Sequence, residues 1–424
     1  MDVLVVGGGG REHALVWALD RSASVDKIYC APGNAGIAQI AECWDISPGD
    51  LQGLAHAADE HAVDLVVVGP EAPLTSGIAA VLDQVGIACF GPSAAAAILE
   101  GSKAFAKGFM ERHDIPTAAF RVFHDLTPAI EFARSPDWGF PSVVKADGLA
   151  AGKGVIMCDN ADEAEQAVRL CMEDGAFGAA GSTVVIEQCL SGPEATVMAL
   201  TDGERLVVLP PSQDHKQAFD GDEGPNTGGM GAFAPASDVV TDEMLETITE
   251  QVLRPAIKGM AAEDRHFQGV LYAGLMLTES GPSVLEFNCR FGDPEAEVVL
   301  PLIDGDVGEL LASIADGRVP DTVTISSRHA AIVVLAAEGY PAKYRHGDPI
   351  EGLAAAAALD DVVVFHAGTG ADGDRVVTTG GRVLGVSGTG DNREAALARA
   401  YEAVNKISFP GMHYRTDIGR RGQE

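Results

Sequence analysis

The chain opens on an unbroken apolar run, Val3-Leu4-Val5-Val6, that ends in four glycines, Gly7 to Gly10. A short continuous run bounded by turn residues predicts a strand buried on both faces, as in a parallel sheet. A helical pattern through Ala14 to Leu19 follows, then three more apolar runs: Lys27 to Cys30, Leu65 to Val68 and Ala88 to Phe90. Each of these ends in a Gly/Pro segment: Ala31-Pro32-Gly33-Asn34-Ala35-Gly36, Gly69-Pro70-Glu71-Ala72-Pro73 and Gly91-Pro92. This rhythm predicts βαβ units and a parallel sheet over residues 1–100. Ligands of such sheets sit beyond the strands' carboxyl ends, where these loops lie.

From about residue 101 the pattern changes. A helix opens at Glu100-Gly101-Ser102-Lys103, and Ile115-Pro116-Thr117 interrupts the chain after it. Apolar runs on both sides of a small-residue loop predict a strand–loop–strand over 143–156, followed by a helix through Ala161 to Met172 and a strand over Thr183 to Gln188. Residues 210–235 carry no apolar periodicity, and a Gly-rich loop of that length is usually functional or disordered. Asp214, His215 and Lys216 beside it favour a substrate loop. Residues 283–288 alternate as a strand does, so Leu285 and Phe287 are expected inside and Glu286 and Asn288 together on the other face. Residues 326–424 read as a smaller α/β unit, with a hairpin over Val376 to Leu384 and a final helix through Ala395 to Val404. No fixed-period repeat is visible.

Two segments carry candidate chemistry. Glu286 and Asn288 offer oxygen ligands about 7 Å apart along a strand. Such a pair suits Mg²⁺, which prefers hard oxygen donors and leaves places for phosphate and water. Arg290 follows, a planar donor suited to carboxylate or phosphate. A solvated edge strand with a turn at Gly292-Asp293-Pro294 is the competing reading. The second segment, Lys145 to Val155, is a loop of small residues with Lys145 and Lys153, and glycine-rich backbone makes an anion cradle. It is not a P-loop: three residues separate Gly148 from Gly152, and Gly154 follows Lys153 where that motif needs Ser or Thr. A plain hairpin with solvated lysines stays open. The glycines after the first strand do not fit a dinucleotide fingerprint, since Glu12 and His13 stand where Gly is required and Cys30-Ala31 where an acid would end the second strand. A phosphate cradle or an ordinary strand-to-helix turn remains.

Composition narrows the classes. The 424 residues are expected to form two to four lobes. No run of about 18 apolar residues could span a bilayer. The N-terminus lacks the basic region and cleavage site of a signal peptide, so the expected location is the cytoplasm. Seven scattered cysteines, with no Cys-x-x-Cys, argue against a disulfide framework or a zinc site. The net charge of −33, with 9 lysines against 20 arginines, repels nucleic acid and anionic membranes, so neither is an expected partner. It points instead to adaptation to high salt, where screening removes the self-repulsion.

Taken in order, several stretches resemble the phosphoribosylamine–glycine ligase family of ATP-grasp enzymes: Gly9-Gly10-Arg11-Glu12-His13-Ala14, Ala31 to Gly36, Val68 to Leu74, Leu99 to Lys103, Lys145 to Val155, Ser212 to Lys216, Gly224 to Gly231 and Glu286 to Glu295. The resemblance spans nearly the whole chain. Two departures touch the nucleotide edge: Glu187-Gln188 where Glu-Glu is common, and Pro193 where an acid is common.

The resemblance implies an α/β protein with a Rossmann-like lobe (1–100), a two-lobed ATP-grasp domain (101–325, mobile lobe about 118–190) and a small C-terminal α/β domain (326–424). It implies that ATP, glycine and 5-phosphoribosylamine give glycinamide ribonucleotide, ADP and phosphate through glycyl phosphate, in a protein that is usually a monomer. It implies that Lys103 and Lys145 hold the ATP phosphates under a loop including Gly148, Gly152, Lys153 and Gly154. Glu187 and Leu190 would bound the adenine, Glu194 would take the ribose, and Glu286 with Asn288 would hold Mg²⁺ or Mn²⁺. Arg290 would face the acyl phosphate. Asp214, Lys216 and Asn226, Thr227, Gly228, Gly229 and Met230 would hold glycine and phosphoribosylamine, whose phosphate would rest near Gly9, Gly10 and Asn34. Another ATP-grasp ligase or carboxylase, and a nucleotide-binding regulator without catalysis, are the competing functions.

Overall fold

Val3, Leu4, Val5 and Val6 are all fully buried, and they alternate between two hydrophobic cores. The strand Asp2–Gly7 therefore sits inside a sheet covered on both sides, as its continuous apolar run requires. That sheet is parallel and five-stranded, in the order Glu42–Cys43, Lys27–Pro32, Asp2–Gly7, Leu65–Val68, Ala88–Phe90. The computed structural model describes residues 1–149, 154–176 and 178–420. Gly152 and Lys153 lie outside the described residues.

Two four-stranded antiparallel sheets follow. One, in the order Phe120–Phe123, Val184–Gln188, Ser142–Ala146, Val155–Cys158, has its own core with the helices Leu126–Ala133 and Ala161–Met172. The other runs Leu206–Val208, Glu194–Thr201, Gly269–Thr278, Gly281–Asn288. The helix Lys103–Arg112 starts at Ser102, whose hydroxyl accepts from Phe105 N–H, and a separate helix, Ala94–Gly101, ends there. The expected single opening at 100–103 is thus a junction between two helices.

The last large sheet has the order Gln213–Asp214, Gly231–Ala234, His329–Ala336, Arg382–Gly390, Val362–His366. It joins two short strands from the 210–235 region to the C-terminal segment. That region is therefore not the continuous loop its lack of periodicity suggested. It also holds a small antiparallel hairpin, Gln217–Phe219 with Glu223–Asn226. The expected hairpin over 376–384 does not form either. Arg375–Thr378 pairs with Thr369–Asp372, while Arg382–Gly390 pairs with His329–Ala336 and Val362–His366. Among the described residues, no helix is long and apolar enough to cross a membrane. All seven cysteines are free.

Candidate active site

The strand Gly281–Asn288 carries a local irregularity that shapes the site. Gly274 pairs with Glu286, but the next residue, Leu275, pairs with Val284, which leaves Leu285 as an extra residue. A bulge of this kind re-aims the side chains that follow it. Val284 and Phe287 are the buried core residues, and Leu285 is only half-buried, contrary to strict alternation. The Leu285 carbonyl accepts a 3.3 Å hydrogen bond from Lys145 Nζ.

Beyond the bulge, Glu286 opens toward the cleft. Burial of its surroundings would raise its carboxyl, but Lys216, Lys145, Lys103 and Arg290 outweigh that and hold it below the usual carboxylate range. Asn288 is buried, and its Oδ1 accepts from Arg290 at 3.3 Å. Arg290 is itself fixed by Glu100 at 2.8 Å and Glu71 at 3.4 Å. Burial disfavours its charge, and the two carboxylates more than restore it, so the guanidinium stays protonated. No group of three His, Cys, Asp or Glu side chains converges as a metal cage among the described residues. The donor set of Glu286 and Asn288 fits a magnesium-type ion that takes its other ligands from phosphate and water.

The lysines stand on both sides of the cleft. Lys103, at the start of its helix, donates to the Gly148 carbonyl at 2.9 Å. Gly148 has φ +87°, which favours glycine, and an added Cβ would lie 3.2 Å from the Ala180 Cβ. Gly154 closes the other end of the described loop, its carbonyl accepting from Ala146 N–H at 2.8 Å. Asp147 accepts from Ser102 Oγ and Ala104 N–H, both at 3.0 Å, and so ties the loop to the helix N-terminus.

Glu187 is buried between Lys107 at 2.7 Å and Lys145 at 3.0 Å. Burial opposes its ionisation, and the two lysines overcome this and keep its carboxyl low. Its Oε1 is buried and has no hydrogen-bond partner among the described residues. Lys107 is also held by Thr117 Oγ1 at 2.7 Å, and burial brings its ammonium down to about 8. Sequence reasoning missed Lys107, although it lies four residues after Lys103, on the same helix face. Leu190 is half-buried just past the strand that carries Glu187.

A pocket of about 440 Å³ adjoins this cluster, lined in part by Glu194, Gln213, Asp214, Lys216 and Asp222. Lys216 pairs with Glu194 at 2.5 Å. Burial would strip its proton, but Asp214, Glu194 and Glu286 hold it firmly. Thr227 donates to the Lys216 carbonyl through N–H at 2.7 Å and through its hydroxyl at 2.8 Å. Gly228 accepts from Arg382 at 2.6 Å and donates to Tyr340 at 3.0 Å, two contacts from the C-terminal segment that the sequence did not disclose. Gly229 N–H is capped by Thr227 Oγ1 at 2.9 Å, and Asn226 is exposed across from Gln217. Met230 is fully buried and bonded through its N–H to the His215 carbonyl, so it anchors the segment.

The first-strand glycines lie in a crowded place. Gly9 N–H donates to Glu12 at 2.5 Å, and a Cβ on Gly10 would strike the Glu297 carboxyl. The Asn34 side chain is committed to backbone: it donates to Gly8 and His366 carbonyls at 2.9 and 2.8 Å and accepts from Gly36 and Ile37. The structure thus gathers Lys103, Lys145, Glu187, Glu194, Asp214, Lys216, Glu286, Asn288 and Arg290 at one cleft, and gives Asn34 a bracing role between loops.

Three models of the phosphoribosylglycinamide synthetase family match this chain: its N domain over residues 1–100, its ATP-grasp (A) domain over 101–296 and its C domain over 330–421. The chain is 48% identical to the phosphoribosylamine–glycine ligase of Rhodopirellula baltica, over 98% of this chain and 97% of that one. It is 49% identical to the enzyme of the same name from Pseudomonas aeruginosa, over 99% and 98%. The crystal structure of the Thermotoga maritima phosphoribosylamine–glycine ligase superposes with a TM-score of 0.87 at 33% identity, covering 99% of this chain and all of that one.

Proposed function

The chain belongs to the phosphoribosylglycinamide synthetase family, and we propose from its cleft how its residues carry the family's reaction. The enzyme is an ATP-dependent ligase of purine biosynthesis that joins glycine to 5-phosphoribosylamine, giving glycinamide ribonucleotide, ADP and phosphate. The observation that carries the residue assignment is the convergence of Lys103, Lys145, Lys216 and Arg290 on one ionised carboxylate, Glu286. So many cations at one cleft, in a chain of net charge −33, suit a polyanion.

In this reading Lys103 and Lys145 bind the ATP phosphates, beneath the loop that Asp147 anchors. The unpartnered Glu187 Oε1 supports an adenine amine as its donor, with Leu190 against the base and Glu194 near the ribose. Glu286 and Asn288 would hold Mg²⁺ or Mn²⁺, which when bound supplies positive charge to the phosphate oxygens. Glycine's carboxylate attacks the γ-phosphorus and displaces ADP. The amine of phosphoribosylamine then attacks the acyl carbon of glycyl phosphate, loses a proton and expels phosphate. Arg290, held by Glu71 and Glu100, faces the phosphoryl oxygens through both steps. Asp214 pairs with the glycine ammonium, and Lys216 neutralises its carboxylate. Phosphoribosylamine lies across the Asn226–Met230 segment toward Gly9 and Gly10, with Asn34 bracing that wall. Little covalent work falls on side chains, so positioning and charge neutralisation supply the rate.

We place the lobe boundaries near residues 100 and 325, the mobile lobe at about 118–190, and the enzyme in the cytoplasm as a monomer without nucleic-acid or membrane partners. The test is ADP release from purified enzyme given ATP and Mg²⁺. Release that needs both glycine and phosphoribosylamine is expected. Release with another carboxylate, or with bicarbonate, in place of glycine would assign the site to a different ATP-grasp reaction, and nucleotide binding without turnover would make the chain a regulator.

A further inference from the structure

Lys216 and Asp214 stand at the base of the small hairpin Gln217–Phe219 with Glu223–Asn226, and this hairpin has almost no core of its own. Glu223, Gly224, Pro225 and Asn226 are all exposed, and only Ala218 is buried among its strand residues. A lone two-stranded hairpin is marginally stable in water. Among the described residues, the segment 413–419 near the C-terminus holds it. Its centre is Arg415, which is fully buried. Arg415 grips Asp417 in a two-point fork at 2.8 and 2.7 Å. Its remaining terminal nitrogen reaches into the hairpin, to Asp222 at 2.9 Å and to the Gln217 carbonyl at 3.1 Å.

The contacts around this fork all join the same two segments. Asp417 accepts from Gly221 N–H at 2.8 Å, and Thr416 N–H donates to Asp220 at 2.8 Å, with the Thr416 hydroxyl on the same carboxylate. The His413 ring meets the Ala218 carbonyl at 2.7 Å and lies edge-on to Phe219. At the far end Gly419 N–H donates to His215 Nε2 at 3.1 Å, between Asp214 and Lys216 in sequence. The segment is itself anchored: Tyr401 donates its hydroxyl proton to the Arg415 carbonyl at 2.9 Å, and His413 pairs with Ala336. Asp222, the partner of Arg415, also lines the 440 Å³ pocket with Asp214 and Lys216.

We propose that Arg415 is a positioning residue for the ligation: from the C-terminal segment it clamps the 217–226 hairpin and so fixes Lys216, Asp214 and Asp222 around the glycine side of the cleft. This inference rests on the assignment of Asp214 and Lys216 to substrate. Arg415 is too deep to touch substrate. It acts through geometry, and a shift of about 1 Å in a substrate-holding group is enough to cost two orders of magnitude in rate. Lysine replaces it only in part, because one ammonium does not reproduce a planar fork that grips a carboxylate at two points and a second segment with its third nitrogen.

The experiment compares Arg415→Ala, Arg415→Lys and Lys216→Ala with wild type. It measures KM for glycine, kcat, and the affinity for a non-hydrolysable ATP analogue by calorimetry. In Arg415→Ala the glycine KM should rise and kcat should fall, each by about tenfold or more, while nucleotide affinity stays within twofold. Arg415→Lys should fall between Arg415→Ala and wild type. A purely structural role would lower the melting temperature and leave the glycine KM and kcat of the folded enzyme unchanged, and that result overturns the proposal. If Arg415→Ala does not fold, Asp417→Asn, which weakens the same fork from its half-buried side, must raise the glycine KM, and failure to do so counts equally against it. Lys216→Ala separates the two layers. If it leaves the glycine KM unchanged, the substrate assignment is wrong, whereas a rise there with none in the Arg415 variants removes only the clamp.

Discussion

Glu286 is the carboxylate that Lys216, Lys145, Lys103 and Arg290 together keep ionised. Glu286→Ala or Asn288→Ala should cut turnover by roughly two orders of magnitude or more, as loss of transition-state charge stabilisation does. The near-ultraviolet circular dichroism should be unchanged, since Glu286 opens to the cleft and not into the core. Wild-type turnover at limiting Mg²⁺ would take both residues out of a metal site. Lys145→Ala should weaken nucleotide binding and spare glycine, and Lys145→Arg should not restore it, because the two cations differ in shape. Unchanged nucleotide affinity by calorimetry would reduce Lys145 to a structural partner of Glu187. Two buried histidines make a pH prediction. Burial, aided by the neighbouring His366, brings the His13 imidazole down to about 3, and burial brings His366 to about 4. Both are neutral in the native state, so from about pH 6.5 downward the unfolded chain binds protons that the native state refuses. Each histidine should then lower stability by about 1.4 kcal/mol per pH unit as pH falls toward 4. The urea midpoint of His13→Asn, whose Oδ1 can take the place of the ring acceptor, should fall less steeply between pH 6.5 and 5 than that of wild type; equal slopes would contradict the assignment. The place where charge gathers was legible where a charged side chain interrupted a small-residue loop or an apolar strand, as at Lys145 and Glu286. It was not legible at Lys107, because one more lysine on a helix reads as solvated until the tertiary fold buries it against Glu187.

At the scale of elements, the loop proposed to cover the ATP phosphates is tied to an anchor outside itself. Asp147 accepts at the N-terminus of the helix Lys103–Arg112, so Asp147→Ala should cost about 1 kcal/mol of stability, as loss of a cap does. It should also weaken binding of a non-hydrolysable ATP analogue, because the Asp147 carboxylate no longer ties this end of the loop to the helix N-terminus. A lowered melting temperature with unchanged analogue affinity would make Asp147 a helix cap and nothing more. The parallel sheet and the long helices were readable from sequence because each apolar run is long enough to show its period and ends in Gly or Pro. The 210–235 region was not, since its strands are two to four residues long and too short for any period. The two strands expected over 376–384 are present, but they were claimed by different sheets, a choice made by distant partners. The bulge at Leu285 was hidden for the same reason: only its pairing with Gly274-Leu275 reveals the extra residue.

At the scale of the whole molecule the order of lobes was legible because the motifs span the chain, whereas the bracing of the 217–226 hairpin by residues 413–419 joins positions some 200 apart. Net charge makes a prediction of its own. Thirty-three excess negative charges repel over the Debye length, about 30 Å at 0.01 M salt and about 3 Å at 1 M. Activity should fall on dilution into low salt before circular dichroism reports loss of helix, molar KCl should restore both, and MgATP should protect in part by binding the native state. Full activity and an unchanged melting temperature at about 0.01 M salt would remove the high-salt explanation of the acidity. The central claim, that this cleft activates the glycine carboxylate by phosphorylation before the amine attacks, has a direct isotopic test. Glycine labelled with ¹⁸O in both carboxylate positions is turned over with ATP and phosphoribosylamine, and the released phosphate is analysed by mass spectrometry. If the carboxylate attacks the γ-phosphorus and the acyl carbon is then attacked by the amine, one ¹⁸O passes into each phosphate and one remains in the amide. Phosphate free of ¹⁸O, with glycinamide ribonucleotide still formed, would contradict the acyl phosphate and with it the roles given to Arg290, Lys216 and Glu286.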